Sequence, residues 1–457
     1  MHQENAPMTN IFGHSVRWEL LFLCIIEAIT YFCAVAVLFI LWGPGIGNEK
    51  ALAFSALLAL SCALIAGASG LYQPETWARV QRLVVRTGVA GTLLLLAWPV
   101  FRAMGPDSLD EYRIEVLLGF AAIVLGTRLA FVVAARYGLL RHRIITIPNS
   151  LAPAMGAPAR RTDPPGPPGQ AMEDMFEVVT ALDSSGGLSN ALDPQRLRDQ
   201  RVRAVVAADP STIPQELRDR CAAHGVRVFS ECEFREQRLA RVDIDSLAPD
   251  WLRNARALRA GRLETGAHRL LDLVAGIVLL AITLPLLLVT ALAIKLDSRG
   301  PVFYRQERVG RNGRTFMLVK FRSMRVDAEA GGRPVWASQQ DPRVTRVGRI
   351  IRRARIDEIP QVFNVLRGDM AFVGPRPERP EFVQELGRQI PHYDDRAVVK
   401  PGITGWAQVN YPYGASVEDA RVKLSYDLYY VRRRSLFLDL LILIATVRVV
   451  LFQEGSR

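Results

Sequence analysis

Apolar residues in this chain are gathered into blocks. Four runs come first, approximately Trp18–Trp42, Ala51–Leu71, Leu83–Phe101 and Ile114–Ala135. Each has about the twenty residues that a bilayer-spanning helix needs, so four membrane helices are expected. The loop after the second run carries Arg79, Arg82 and Arg86, and the exit from the fourth carries Arg136, Arg141 and Arg143. The loop after the third is acidic, with Asp107, Asp110 and Glu111. Positive charge stays on the cytoplasmic side, which puts both ends of this bundle in the cytoplasm. Glu19, Glu27 and Arg128 lie in or at the edge of these runs and read as snorkelling or paired groups. No cleavable signal is expected, because the first dozen residues are polar and the first run is too long for one.

From Arg141 to about Asp250 the pattern changes. Short β-branched runs (Arg143–Ile147, Phe176–Ala181, Val202–Ala207, Val226–Phe229) alternate with segments such as Ser211–His224, which predicts a small α/β, Rossmann-like layer. The Pro/Gly-rich stretch Ala152–Gln170 reads as a loop, and no GxGxxG follows the first strand. A fifth apolar run, Leu270–Leu296, has basic residues on both flanks and Pro285 near its middle. Proline removes a backbone hydrogen bond and bends a helix. We read this run as a re-entrant helix–break–helix in preference to a kinked span, with the Thr283 hydroxyl as a candidate partner for the freed backbone groups. Leu436–Phe452 is apolar but contains Asp439 and Arg448, which suits an interfacial amphipathic helix. The expected organisation is a cytoplasmic tail (1–15), a four-helix transmembrane bundle (16–138), an α/β cytoplasmic insert (139–250), a linker (251–265) and a mostly α catalytic domain (266–457).

Charge sharpens this picture. The formal net charge is +12, and between Arg299 and Arg355 there are fifteen Lys or Arg against four Asp or Glu. Such a field attracts nucleic acid, anionic headgroups or phosphorylated small molecules. Nucleic acid fits least well, because no RNP-like signature or aromatic interleaving accompanies the arginines, which stand singly among Gly and Val. The five cysteines form no CxxC, so neither a zinc site nor a disulfide framework is implied.

Chemistry concentrates in Arg352-Arg353-Ala354-Arg355-Ile356-Asp357-Glu358-Ile359-Pro360-Gln361, followed by Gly374-Pro375-Arg376-Pro377. Pro360 is tolerated in a first helical turn and Gly368 closes the helix, which puts Asp357 near an N-cap. Asp357 could simply cap that helix, a role worth about 1 kcal/mol, and Glu358 could be an ordinary first-turn acid. Their functional reading is phosphate chemistry with a divalent cation. Magnesium takes one or two carboxylates plus substrate phosphates, with Glu358 as the candidate ligand. Arg376 sits between two prolines that aim its guanidinium, and arginine matches phosphate oxygens bidentately. Lys320 and Arg322 are expected to complete the anionic site.

These segments stand in a characteristic order with Gly300-Pro301-Val302-Phe303-Tyr304-Arg305-Gln306-Glu307-Arg308-Val309-Gly310, Lys320-Phe321-Arg322-Ser323-Met324-Arg325, Gly368-Asp369-Met370 and Pro401-Gly402-Ile403-Thr404-Gly405-Trp406-Ala407-Gln408-Val409. From about Gly266 to Arg457 the chain resembles the bacterial sugar transferase family, the monotopic phosphoglycosyl transferases acting on polyprenyl phosphate. Its bundle and insert resemble those of the longer, exopolysaccharide-type members. The resemblance implies transfer of a sugar-1-phosphate from a UDP-sugar to undecaprenyl phosphate at the cytoplasmic face of the bacterial inner membrane, with UMP leaving. It implies Mg²⁺ as cofactor, Arg352 as a phosphate-binding arginine and Asp357 as nucleophile. The sugar stays open between glucose, galactose and an N-acetylated relative. The bundle offers a surface for a homodimer. A non-catalytic assembly scaffold is the competing function, against which the intact Asp-Glu pair argues. No catalytic motif precedes Gly266, so transfer is expected of residues 262 onward alone.

Overall fold

A computed structural model describes residues 8–11, 14–42, 48–73, 80–104, 107–136, 142–147, 176–181, 192–193, 197, 202–207, 210–230, 232–234, 236, 240–247, 249–326, 341, 343–411 and 416–452. The expected loop 152–170 and the loop arginines Arg79 and Arg141 lie outside these residues. The chain divides into two compact units, Met1–Phe234 and Arg235–Arg457.

In the first unit a short hairpin of β1 (Met8–Ile11) and β2 (His14–Arg17) leads into four long helices. These are α1 (Trp18–Trp42), α2 (Asn48–Ala68), α3 (Val80–Met104) and α4 (Arg113–Arg136). Each is long and apolar enough to cross a membrane. Their shared core includes Tyr31, Phe39, Phe54, Leu58, Leu94, Trp98 and Phe120, while Ile29, Leu60, Leu96, Leu118 and Leu129 face outward. A helix apolar on all sides is what a lipid surround requires. Arg128 is fully buried and pairs with Glu27, and its Nε donates to the Leu71 carbonyl at 2.9 Å. Pairing inside the bundle therefore describes these two charges.

The same unit carries a four-stranded parallel sheet in the order β4-β3-β5-β6. The strands are β3 (His142–Ile147), β4 (Phe176–Ala181), β5 (Val202–Ala207) and β6 (Arg227–Ser230). Helix α5 (Gln215–Ala223) buries Leu217 and Cys221 against the face holding Ile145, Val205 and Ala207. Ala204 and Val206 belong to the other face and meet Phe234, as the period of two demands.

The second unit begins earlier than the expected domain boundary. Val242, Ile244, Trp251 and Ala255 are buried in its largest core with Leu424, Leu428, Tyr429 and Ile442. Trp251 Nε1 donates to Asp395 at 2.8 Å and Trp406 Nε1 to the Ala240 carbonyl at 2.7 Å. Glu236 pairs with Arg432 at 2.9 Å and with Arg433 at 3.2 Å. The stretch read as insert end and linker is a packed part of this unit, because large apolar side chains spaced irregularly give no periodic signal in sequence.

After that segment come α6 (Arg262–Asp297), an antiparallel hairpin of β7 (Phe303–Val309) and β8 (Thr315–Phe321), α7 (Arg346–Arg353), a 3₁₀ turn (Ile356–Gln361), α8 (Val362–Arg367), β9 (Ala371–Val373), α9 (Pro380–Gln389), β10 (Gly402–Thr404), α10 (Val417–Arg433) and α11 (Leu436–Phe452). Strands β9 and β10 pair in parallel, Gly402 opposite Ala371. Their loops touch backbone to backbone: a Cβ on Gly402 would lie 2.1 Å from the Gly374 nitrogen, and one on Gly405 would lie 2.1 Å from the Gly374 oxygen. Only glycine permits that approach, and it fixes the loop carrying Arg376.

Helix α6 is continuous through Pro285 and buries a narrow stripe, His268, Asp272, Gly276, Leu287, Thr290 and Ile294. Ile277, Ile282, Leu288, Val289 and Leu292 are exposed. Near its start His268 Nδ1 meets Asp439 at 2.7 Å, Asp272 accepts from the Phe372 amide at 2.7 Å, and Arg269 donates to the Val365 and Leu366 carbonyls at 2.7 and 2.8 Å. At its far end Asp297 accepts from the Val347 amide at 3.1 Å, and Ile294 packs with Phe321 and Ile351. The Thr283 hydroxyl donates to the Leu279 carbonyl at 2.7 Å, four residues back. It does not reach the Ala281 carbonyl that Pro285 leaves without an amide partner. Such back-bonding itself bends helices. Helix α11 buries Leu438, Asp439, Ile442, Arg448 and Val449 and exposes Leu440, Val447 and Val450, so one face is core and the other apolar surface.

Candidate active site

The site is assembled from β8, the 3₁₀ turn and the loop after β9. Helix α7 ends at Arg353, and Arg355 then takes a left-handed backbone, φ 56°, which redirects the chain into the 3₁₀ turn. Ile356 and Ile359 pack with Phe321 and Ile351, which holds the turn against the end of β8. Asp357 and Glu358 are the second and third residues of this turn, so Arg355, not Asp357, is the capping residue. The turn runs directly into α8, which ends at Gly368 in the left-handed region, φ 99°.

Glu358 Oε1 accepts from Lys320 Nζ at 3.1 Å and from Arg376 Nη2 at 2.8 Å. Burial alone would raise the Glu358 carboxyl, but Arg376 and Lys320 hold it well below the ordinary carboxylate range. Asp357 accepts no hydrogen bond among the described residues. Burial, reinforced by the adjacent Glu358 charge, pushes it up to about 6, against the pull of Lys320, Arg352 and Arg376. Burial also lowers Lys320, against the pull of Glu358. Two neighbouring carboxylates are thus driven apart: one is permanently charged and paired, the other ionises near neutrality. This separation of titrating partners marks functional sites.

Arg352 stands on the last turn of α7, and its field lowers Asp357. Arg376, the other arginine expected to bind phosphate, reaches Glu358 at 2.8 Å. Arg322 does something else. It is 4% exposed, and its guanidinium donates to the Ser298 carbonyl at 2.8 Å, the Ser298 hydroxyl at 2.9 Å and the Arg299 carbonyl at 2.9 Å. It closes the C-terminus of α6, so the residue expected as a phosphate ligand is a helix cap. Gly300, φ 128°, makes room for it, since a Cβ there would lie 2.0 Å from Arg322 Nη1.

Three residues were not singled out from sequence. Arg308 donates to the Pro377 carbonyl at 3.1 Å. Arg396 donates to the Arg376 carbonyl at 2.8 Å and pairs with Asp427 of α10 at 2.7 Å. Arg308 and Arg396 thus hold the adjacent carbonyls of Pro377 and Arg376. An acid buried amid the tyrosines of Ser425-Tyr426-Asp427-Leu428-Tyr429-Tyr430 was the available signal for Asp427.

No group of three or more His, Cys, Asp and Glu side chains converges as a metal cage among the described residues. The donor set suits magnesium all the same, a hard cation held by one or two carboxylates and completed by phosphates. Both described bonds to Glu358 end on a single oxygen, and the carboxylate is ionised at any working pH.

Helices fit to lie in a membrane and a carboxylate pair ringed by cations together define a membrane protein equipped to handle phosphate esters. Comparison with known proteins agrees. Residues 263–453 match the family described as bacterial sugar transferase. The chain is 43% identical over 238 residues to a UDP-N-acetylgalactosamine-undecaprenyl-phosphate N-acetylgalactosaminephosphotransferase of Aeromonas hydrophila, covering 52% of this chain and 55% of that one. It is 37% identical over 299 residues to an undecaprenyl-phosphate glucose phosphotransferase of Komagataeibacter xylinus, covering 62% and 56%. Identity is 46% over 190 residues to a UDP-glucose:undecaprenyl-phosphate glucose-1-phosphate transferase of Caulobacter vibrioides, covering 41% and 71%. The matched region spans little more than half the length of the first two relatives. The chain belongs to the bacterial sugar transferase family.

Proposed function

We propose that this protein transfers a sugar-1-phosphate from a UDP-sugar to undecaprenyl phosphate, releasing UMP and opening assembly of a surface glycan. The observation that carries this reading is the Asp357–Glu358 pair, with one carboxylate pinned by Lys320 and Arg376 and the other accepting no hydrogen bond among the described residues. Named relatives act on UDP-N-acetylgalactosamine and UDP-glucose, so a UDP-linked hexose or N-acetylhexosamine is the expected donor.

In this scheme an Asp357 oxygen attacks the phosphorus that bears the sugar. The bond from that phosphorus to the bridging oxygen breaks, and its electrons leave on UMP. An acyl phosphate carrying the sugar remains on the protein. A phosphate oxygen of the lipid then attacks the same phosphorus and frees the carboxylate. Splitting the transfer lets a soluble donor and a bulky lipid use the site in turn. Arg352 and Arg376 neutralise charge on the transferring group, with the largest benefit in the transition state. Mg²⁺ held by Glu358, when bound, would supply charge neutralisation along the diphosphate.

The membrane arrangement is part of the proposal. Between Arg269 and Asp297 a straight helix would extend roughly 42 Å at 1.5 Å per residue, more than the ~30 Å hydrocarbon layer. Both of those residues are nevertheless bound to the same folded unit. This supports a re-entrant α6 that dips into one leaflet and returns, bent at Pro285, with the catalytic unit on the cytoplasmic face.

The test is to incubate purified full-length protein with undecaprenyl phosphate, Mg²⁺ and a panel of UDP-sugars and to measure UMP release. At least one donor should give lipid-dependent turnover that Asp357→Asn abolishes. Turnover with no donor, or turnover indifferent to Asp357, would contradict the proposal.

A further inference from the structure

The catalytic unit contains a cavity of about 390 Å³ that the catalytic pair does not line. It lies among the turn joining β7 to β8, the Gly374–Pro377 loop and the 393–398 turn, and Arg376 contributes to its wall. We infer that this cavity holds the nucleoside arm of the donor, with Arg376 at the junction between nucleoside and diphosphate. The inference rests on the proposed transfer reaction and adds the place of one substrate arm.

Size comes first: small-molecule sites occupy about 300–1,000 Å³ and are mostly apolar with a few converging polar groups. Val309, Pro375, Pro377, Val383, Val398 and Val399 supply apolar wall here. A hexose carries hydroxyls around its whole ring, and such walls would leave several unpaired at a cost of a few kcal/mol. A pyrimidine has two apolar faces and keeps its polar groups on one edge, so it suits this lining better. The cavity is also firmly built. Arg396 donates to the Tyr393 hydroxyl at 3.0 Å and to the Arg376 carbonyl at 2.8 Å while paired with buried Asp427 at 2.7 Å. Asp394 lines the cavity and accepts no hydrogen bond among the described residues, which leaves a carboxylate for the ribose hydroxyls.

Position relative to the chemistry agrees. Arg376 bonds Glu358 at 2.8 Å and also lines the cavity, so it stands between the two. In displacement at phosphorus the leaving group departs opposite the nucleophile. UMP leaving from Asp357 past Arg376 would carry its nucleoside toward the cavity and its phosphate toward the guanidinium.

The experiment uses full-length protein with Mg²⁺ and no lipid, titrated with UMP by calorimetry, beside Ala397→Trp, which fills the cavity, and Asp394→Asn. Ala397→Trp should weaken UMP binding and raise the donor KM by about tenfold or more, leaving kcat and inhibition by inorganic pyrophosphate close to wild type. Wild type should prefer UMP to 2′-deoxy-UMP, and Asp394→Asn should erase that preference. The second variant keeps the test open if the tryptophan prevents folding. Unchanged UMP affinity in folded Ala397→Trp would overturn the assignment. If the donor KM rose while UMP affinity held, the sugar arm would be the occupant and the inference would equally fall. UMP binding lost from the variant, in a protein whose wild type turns over no donor, would keep the cavity and sink the transfer reading instead.

Discussion

At the scale of single residues, the site works by giving two adjacent carboxylates different environments. Glu358 meets two cations directly, whereas Asp357 meets burial and a neighbouring negative charge. The sign of the pH effect follows. An ordinary aspartate, near 3.8, would stay ionised throughout the working range, but Asp357 is pushed up to about 6. The rate of UMP release should therefore fall as pH drops from 7 to 5, with a midpoint near 6, while binding of UMP changes less. A rate flat down to pH 5 would show an unperturbed nucleophile. The Asp-Glu pair and Arg376 were legible in sequence because their spacing and flanking prolines are local. Arg322 was not: it lies two residues past Lys320, and only the fold reveals that helix carbonyls occupy its guanidinium. Arg322→Ala should lower stability by about 2 kcal/mol, since buried carbonyls lose charged donors, and leave the donor KM of folded protein unchanged. Chemical denaturation and steady-state kinetics separate those outcomes. A raised KM at unchanged stability would restore the phosphate-binding role.

At the scale of elements, α6 joins membrane to chemistry. Its buried stripe is polar near the start, where His268 meets Asp439 and Asp272 meets a backbone amide, and places Leu287 and Ile294 in an apolar cluster near the end. Hydrophobicity marked this run, but the hydrogen-bond partners of His268, Arg269 and Asp272 lie 96 to 171 residues away in sequence, beyond any periodicity. Strands β3 to β6 were readable within a residue or two because β-branched runs carry their own signal. For a re-entrant α6, cysteines introduced at Gly266 and Arg299 should both resist an impermeant reagent added outside the cell. Labelling at one position alone would establish a crossing helix. Pro285→Leu should lower activity by straightening α6 and misplacing the site against the lipid. Full activity with unchanged labelling would leave the bend without a role.

At the scale of the whole molecule, the catalytic unit includes residues that its motifs do not announce. Val242, Ile244 and Trp251 are buried in its core, and each such side chain contributes about 1.5–3 kcal/mol. Their loss would remove several kcal/mol from a net stability of roughly 5–15 kcal/mol. The sequence-based expectation that residues 262 onward suffice is accordingly revised. Protein truncated to begin at Arg235 should fold and release UMP, whereas protein beginning at Arg262 should aggregate or unfold at lower temperature. Equal melting temperatures would show that the 236–255 segment is dispensable. The central claim is the covalent step at Asp357, and one measurement meets it most directly: intact protein mass after mixing enzyme, Mg²⁺ and UDP-sugar without lipid. The account predicts one equivalent of UMP released in a burst and a mass increase equal to one phosphosugar, both absent from Asp357→Asn. Unmodified mass, with UMP appearing only once undecaprenyl phosphate is added, would contradict it and establish direct transfer between the two substrates.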